Sequence, residues 1–197
     1  IPGLIDAQSH LFLYPYNQTA WDDQVLKESE ALRTIRATRH AKATLHAGFT
    51  TLRDLGTEGA GYADVALKRA IAQGIVEGPR LFVATRAIVA TGSYGPARAK
   101  FRPDCCVPQG AEEASGIDEV VRAVRHQASH GADWIKVYAD YRIGPGGSQQ
   151  ATFSLEELKA MVDVAHSSGR PVAAHAETDE GMRRAILAGV DTIEHGY

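Results

Sequence analysis

The stretch SLEELKAMVDVAHSSGRPVAAH, Ser154 to His175, contains one full copy of the pattern that decides the fold. Leu155, Leu158, Val162 and Ala165 are spaced three, four and three residues apart, the period of one buried helical face. Ser154 and Glu157 stand at capping-box spacing, which predicts the start of the helix. Gly169 can take the left-handed conformation that ends a helix, and the apolar run Pro171 to Ala174 behind it reads as a strand. His175 follows at once. The unit is therefore helix, glycine, strand, then a polar side chain at the strand's carboxyl end.

Outward from this stretch the unit recurs. Gly48, Gly74, Gly131 and Gly189 precede the runs Thr50 to Leu52, Arg80 to Ala84, Trp134 to Tyr138 and Thr192 to Glu194; with the opening Gly3 to Asp6, six strands are predicted. Ile117, Val121, Val124 and Ala128 repeat the helical period, as do Ala63, Ala66 or Leu67, and Ala70. Helices alternating with strands specify an α/β fold with a parallel sheet. An open doubly wound sheet and a closed (β/α)8 barrel of the TIM type both satisfy that alternation. The chain has neither G-x-G-x-x-G after the first strand nor G-x-x-x-x-G-K-[ST] anywhere, which favours the barrel. Ile88 to Gly116 reads as a long functional loop after the third strand. No internal boundary divides residues 1–197.

Composition narrows the function classes. The 197 residues are 44% hydrophobic with a formal charge of -3, enough for a buried core and without a basic stripe to neutralise phosphates, so no nucleic-acid partner is expected. No apolar run approaches the roughly 20 residues of a membrane-spanning helix. Cys105 and Cys106 are adjacent and offer neither a disulfide framework nor zinc-finger spacing; inert loop or core packing is expected. The start at Ile1 lacks an initiator Met, a signal peptide and a basic leader, so the native amino terminus is read as missing. A cytoplasmic setting is only slightly favoured.

Four polar residues fall in or just after predicted strands: His10 after the first, Lys136 in the fourth, His175 after the fifth and His195 after the sixth. In a barrel all strand ends face one mouth, so these side chains would converge where a metal can bind. A single strand-end histidine is more often a satisfied structural one; the recurrence is what argues for a site. His40, His46, His126, His130 and His166 lie on or at the ends of helices and read as surface or capping residues. Lys136, inside an apolar run, must be paired or deprotonated if buried. It is either an inward ion pair or a neutral amine that reacts with carbon dioxide to give a carbamate able to bridge two cations.

Ile1-Pro2-Gly3-Leu4-Ile5-Asp6-Ala7-Gln8-Ser9-His10 resembles P-G-L-I-D-x-H-x-H, the first-strand motif of the amidohydrolase superfamily. Gly48 to Asp54, Trp134 to Tyr138, Val172 to Ala176 and Thr192 to Gly196 resemble its second, fourth, fifth and sixth strands, so the likeness spans the chain. It is nearest the imidazolonepropionase-like branch, which includes dipeptidases and carboxypeptidases acting on peptides ending in proline, arginine or lysine. The resemblance implies a binuclear site, usually zinc. One ion would be held by carboxylated Lys136, His175 and His195, and the other by the first-strand pair, Lys136 and an Asp after an eighth strand.

Lys136 and His195 would then be catalytic, with Tyr138 and Tyr197 as weaker substrate contacts. Gln8 stands in place of the first histidine, a weaker ligand for zinc than imidazole. Tyr14 stands where relatives often have another histidine. The expected proton-shuttling Asp lies beyond Tyr197, and the last two strand-helix units and a β-sandwich are absent. The chain is thus read as an incomplete catalytic barrel whose open edges could pair with a second copy. Three functions follow: a metal-dependent hydrolase of peptide-like or lactam carbon–nitrogen bonds, inactive or not in this piece; a non-catalytic relative that binds a metal or small molecule; or an α/β fragment whose histidines only satisfy hydrogen bonds.

Overall fold

The computed structural model describes residues 2–197; Ile1, the first residue of the opening motif, lies outside them. In chain order the elements are β1 (Leu4–Ser9), α1 (Trp21–Lys27), α2 (Glu30–His46), β2 (Phe49–Asp54), α3 (Ala63–Ala72), β3 (Arg80–Val83), β4 (Ile88–Val89), β5 (Glu112–Glu113) and α4 (Ile117–Ser129). There follow β6 (Ile135–Tyr138), β7 (Asp140–Tyr141), β8 (Gln150–Ala151), α5 (Leu155–Ser167), β9 (Val172–Ala176), α6 (Asp179–Ala188) and β10 (Thr192–His195). Each of the six predicted strands forms, and the glycines after the helices take positive φ, Gly169 at 72° and Gly131 at 100° among them. The Ser154–Glu157 capping box is present, and the same Glu157 also accepts the Gly116 N–H at 2.7 Å, which ties the start of α5 to the start of α4.

Two parallel sheets carry the site. One has the order β1-β2-β3, the other β10-β9-β6-β4-β5. They are joined where the Asp133 and Trp134 N–H groups, just ahead of β6, donate to the Val83 carbonyl at the end of β3, at 2.8 and 3.2 Å. The fold is therefore α/β with mostly parallel strands. One expectation needs correcting: Ile88 to Gly116 is not a loop throughout. It opens with β4, whose Ile88 pairs with Val137, and near its end β5 pairs with β4. A two-residue run with no glycine-ended helix before it carries too little periodicity to be read. β7 and β8 form a separate antiparallel pair, and α1 was likewise unread.

The helices cover the outer faces. Ala37, Ala41 and Leu67 from α2 and α3 pack with Leu52, Leu81 and Val83 of the first sheet. Val120, Val124, Leu158, Met161 and Ala185 from α4, α5 and α6 pack with Ile135, Val137, Val172 and Ala174 of the second. On the inner side, Arg53 of β2 reaches across to β10. Its Nη2 meets Glu194 Oε1 at 2.6 Å, its Nη1 donates to Thr192 Oγ1 at 3.2 Å, its Nε donates to the Ala7 carbonyl of β1 at 2.6 Å, and the guanidinium lies 4.3 Å from the Trp134 ring. Cys105 and Cys106 are both exposed free thiols, so of the two expectations loop placement holds and core packing does not.

Candidate active site

Register sets the site. Tyr138 of β6 lies beside His175 of β9, and His175 beside Glu194 of β10, so the carboxyl ends of three neighbouring strands finish at one level. His195 ends β10 with φ of 76°, a left-handed conformation that a non-glycine residue adopts at a cost. Its ring meets that of His175 edge to face, 4.8 Å between centroids. Tyr138, itself buried, also packs on His175, its ring stacked at 4.6 Å and 19°.

His175 is buried, and its Nε2 has no hydrogen-bond partner among the described residues; Asp140 Oδ1 stands 3.5 Å away. Burial, with the charges of Lys136 and His195, pushes the His175 pKa down to about 4, so at neutral pH the imidazole keeps a free lone pair. His195 is lowered by the same kinds of cause, burial first and then the Lys136 charge. Lys136 therefore acts electrostatically on both imidazoles. The lysine is 1% exposed, and burial brings its pKa down to about 8, opposed by the charges of Glu194 and Glu58.

Gln8 and His10 occupy the opposite wall. The Gln8 amide is used at both ends: its Oε1 accepts from Lys136 Nζ at 3.5 Å and its Nε2 meets His10 Nε2 at 3.0 Å. That second contact needs His10 Nε2 to be the acceptor, which assigns the ring proton to Nδ1, 3.0 Å from the Gly56 carbonyl. Lys136 and His10 are thus linked through one neutral side chain.

Do these residues suit a divalent cation? Donor atoms of His175, Glu177 and His195 all lie within 4.8 Å of one another. Two imidazoles and a carboxylate are a donor set that zinc and similar ions take at about 2.0–2.2 Å, which for a tetrahedral ion means ligand separations of roughly 3.4 Å. The His175–Glu177–His195 donors match that set in kind, and their spacing exceeds the bound one by no more than about 1.4 Å. The residues fit.

Comparison with known proteins agrees in kind. The profile of the Amidohydrolase family matches residues 1–197. The chain belongs to the amidohydrolase family. Among solved structures it is similar to a Xaa-Pro dipeptidase with methionine bound in the active site, at 36% identity and TM-score 0.85, covering 99% of this chain and 48% of that one. It is similar to a further amidohydrolase at 40% identity and TM-score 0.82, covering 99% and 48%. It is also 32% identical to the ochratoxinase of Aspergillus niger over 163 residues, 75% of this chain and 33% of that protein. The chain spans less than half the length of these relatives.

Within this amidohydrolase chain the other predicted residues fall as follows. Tyr197 is exposed, its hydroxyl 3.5 Å from Glu177 Oε1. Tyr14 is bonded to Glu28 and stands beside Arg36, 4.5 Å from its ring. The helical histidines stay outside the cluster: His166 pairs with Asp191 at 2.8 Å, His46 with Glu77 at 3.2 Å, and His40 Nδ1 lies 2.8 Å from the Leu11 carbonyl. His126 lies 3.3 Å from Glu112, and His130 stacks on Tyr62 at 3.8 Å.

Three carboxylates were not anticipated. Glu177 lies two residues after His175 and Asp140 four after Lys136, so strand alternation could have placed both on the site-facing side. Glu58 gave no such signal: it sits in the turn after β2 with φ of 52°, buried, accepting from Trp21 Nε1 at 3.0 Å and the Tyr94 hydroxyl at 2.6 Å. Its charge adds to burial in raising the pKa of Tyr94, Tyr138 and Tyr141. Tyr16, Trp21, Tyr94, Tyr141, Arg142 and Gln149 line a cavity of about 470 Å³ that opens onto His175 and Glu177.

Proposed function

We propose that this chain is the metal-binding part of a metal-dependent hydrolase of carbon–nitrogen bonds, acting on small peptide-like amides or lactams, and that β1, β2, β3, β6, β9 and β10 of its two sheets are six strands of a (β/α)8 barrel. The observation that carries the reading is the His175–Glu177–His195 cluster, two of whose members, His175 and Glu177, line a cavity of about 470 Å³, in a chain of the amidohydrolase family. Its similarity to a Xaa-Pro dipeptidase supports a dipeptide-sized substrate. Zinc is the expected ion, held by His175, His195 and Lys136 as its carbamate, with His10 and Gln8 offering a second, weaker position. Such an ion supplies Lewis-acid polarisation of the scissile carbonyl and acidifies water.

The chain's own residues do the rest. Tyr138, stacked on His175, shields that imidazole from solvent and fixes its plane. Asp140, whose Oδ1 stands 3.5 Å from Nε2, adds negative charge beside that ring, and its position is set by N–H groups of Glu177 and Thr178 at 2.9 and 2.7 Å. Tyr16, Trp21, Tyr94 and Tyr141 give the cavity aromatic walls of mixed polarity, and Arg142 offers a cation for a substrate carboxylate.

A second reading is favoured by one observation: the Gln8 amide already links Lys136 and His10. In that reading the chain is a non-catalytic relative that binds one metal ion or a small molecule. The test is protein purified with zinc and bicarbonate, assayed for metal content and for cleavage of Xaa-Pro, Xaa-Arg and N-acyl amino acid panels. The hydrolase reading expects stoichiometric zinc, turnover, and loss of turnover in Lys136→Ala. Zinc without turnover selects the binding reading, and no zinc with an unaltered Lys136→Ala variant rejects both.

A further inference from the structure

The chemistry of the site asks for an anion. Two imidazoles supply only neutral donors, and zinc sites built on two histidines commonly add a carboxylate as the third protein ligand. Carboxylation of Lys136 is one source of negative charge, but it requires carbon dioxide and an amine free of its proton. In this structure the Lys136 amine has a partner of its own, Gln8 Oε1 at 3.5 Å. A second source is already in place at the end of β9.

Glu177 follows His175 by two residues, so strand alternation turns both toward the same side, and its carboxylate is grouped with His175 and His195 within 4.8 Å. Its backbone is fixed: the Glu177 N–H donates to Asp140 at 2.9 Å, and Gly181 approaches so closely that a Cβ there would stand 2.1 Å from Asp140 Oδ2. Its side chain is held lightly, by the Gln149 amide and by the Tyr197 hydroxyl at 3.5 Å, both neutral groups. The carboxylate is therefore held beside His175 and His195 by neutral groups alone, with no cation among the described residues paired to it. A separate observation, at His175 of the same cluster, is that its buried Nε2 has no hydrogen-bond partner among the described residues, Asp140 Oδ1 standing 3.5 Å away.

Resting on the metal-dependent reading above, we infer that Glu177 is a direct ligand of the ion, completing with His175 and His195 a set that holds one divalent cation whether or not Lys136 is carboxylated. The lysine carbamate then adds to a site already occupied, instead of creating it.

Calorimetric titration of the chelator-treated protein with zinc, repeated with cobalt while following its visible absorption, tests this in bicarbonate-depleted and bicarbonate-supplemented buffer. The expected result is one ion bound in both buffers. Glu177→Gln, nearly isosteric and on a partly exposed side chain, should weaken binding by at least about tenfold in the depleted buffer, since even groups behind the ligands change affinity by 10- to 100-fold. Glu177→Asp should recover part of the loss, and circular dichroism confirms that both variants fold. Binding that needs bicarbonate and is indifferent to Glu177→Gln overturns the inference while leaving the metal-dependent reading intact. No binding in either buffer removes that reading and the inference together.

Discussion

The two walls of the site solve the same problem in different ways. On the β1 side, Gln8 sits between His10 and Lys136, donating to one and accepting from the other, and the His10 ring is completed by the Gly56 carbonyl. On the β9–β10 side, His175 keeps a buried nitrogen without a partner, and His195 and Glu177 stand close by. Among the described residues the Gln8 amide and the His10 ring have their hydrogen-bond partners, and Nε2 of His175 has none. One neutral amide placed between an imidazole and an amine is enough to satisfy both, as Gln8 does for His10 and Lys136.

This contrast can be broken most severely on the β9–β10 side. Replacing His195 with Ala is expected to reduce zinc affinity by on the order of 100-fold or more, measured by titration, whereas His10→Ala should change it little. Next in size is a pH effect. His175 titrates near 4 in the fold against 6.5 in the free chain, so between those values the unfolded chain binds more protons and stability falls as the pH is lowered. Across that window the metal-free protein should lose roughly 3 kcal/mol relative to His175→Gln, at about 1.4 kcal/mol per unit. Denaturant melts at pH 4, 5 and 6.5 measure it, and parallel curves for the two proteins would refute it.

The satisfied side predicts smaller changes. Lys136 carries a lowered pKa of about 8 against 10.5, so a protonation penalty present below pH 8 is relieved as the pH rises from 8 to 10.5. Lys136→Met removes that penalty and should stabilise the metal-free fold by about 1–3 kcal/mol at pH 7. The gain should shrink across pH 8 to 10.5, and a destabilised variant would show that the lysine is held by more than Gln8. Smallest is Gln8→His, which restores an imidazole in place of the amide. Tighter uptake of a second zinc, by about tenfold, is expected in bicarbonate buffer, read by metal analysis after dialysis.

Much of this architecture is legible in the sequence because the helix-glycine-strand unit repeats its own punctuation. Ser154, Glu157 and Gly169 mark one copy so clearly that α5 and β9 follow from them, and the structure adds only the contact from Glu157 to Gly116. The site is legible where chemistry coincides with a strand end, as at His175 and His195. It is illegible where function depends on partners far along the chain. Gln8 reads as a lost ligand, and only its contact with Lys136, 128 residues away, shows what the amide does instead. Glu58 was hidden for another reason: a turn residue with positive φ belongs to no periodic pattern.

Arg53 gives the contrast between the walls a mechanical consequence. One guanidinium bonds to β1 and β10 from its seat on β2 and lies against Trp134, so the edges of both sheets are clamped by a single planar group. Heating a chain built from two such layers with separate cores would otherwise melt them one after the other. The clamp adds to the bonds from Asp133 and Trp134 to the Val83 carbonyl, and with both couplings in place a single unfolding transition is the expected outcome.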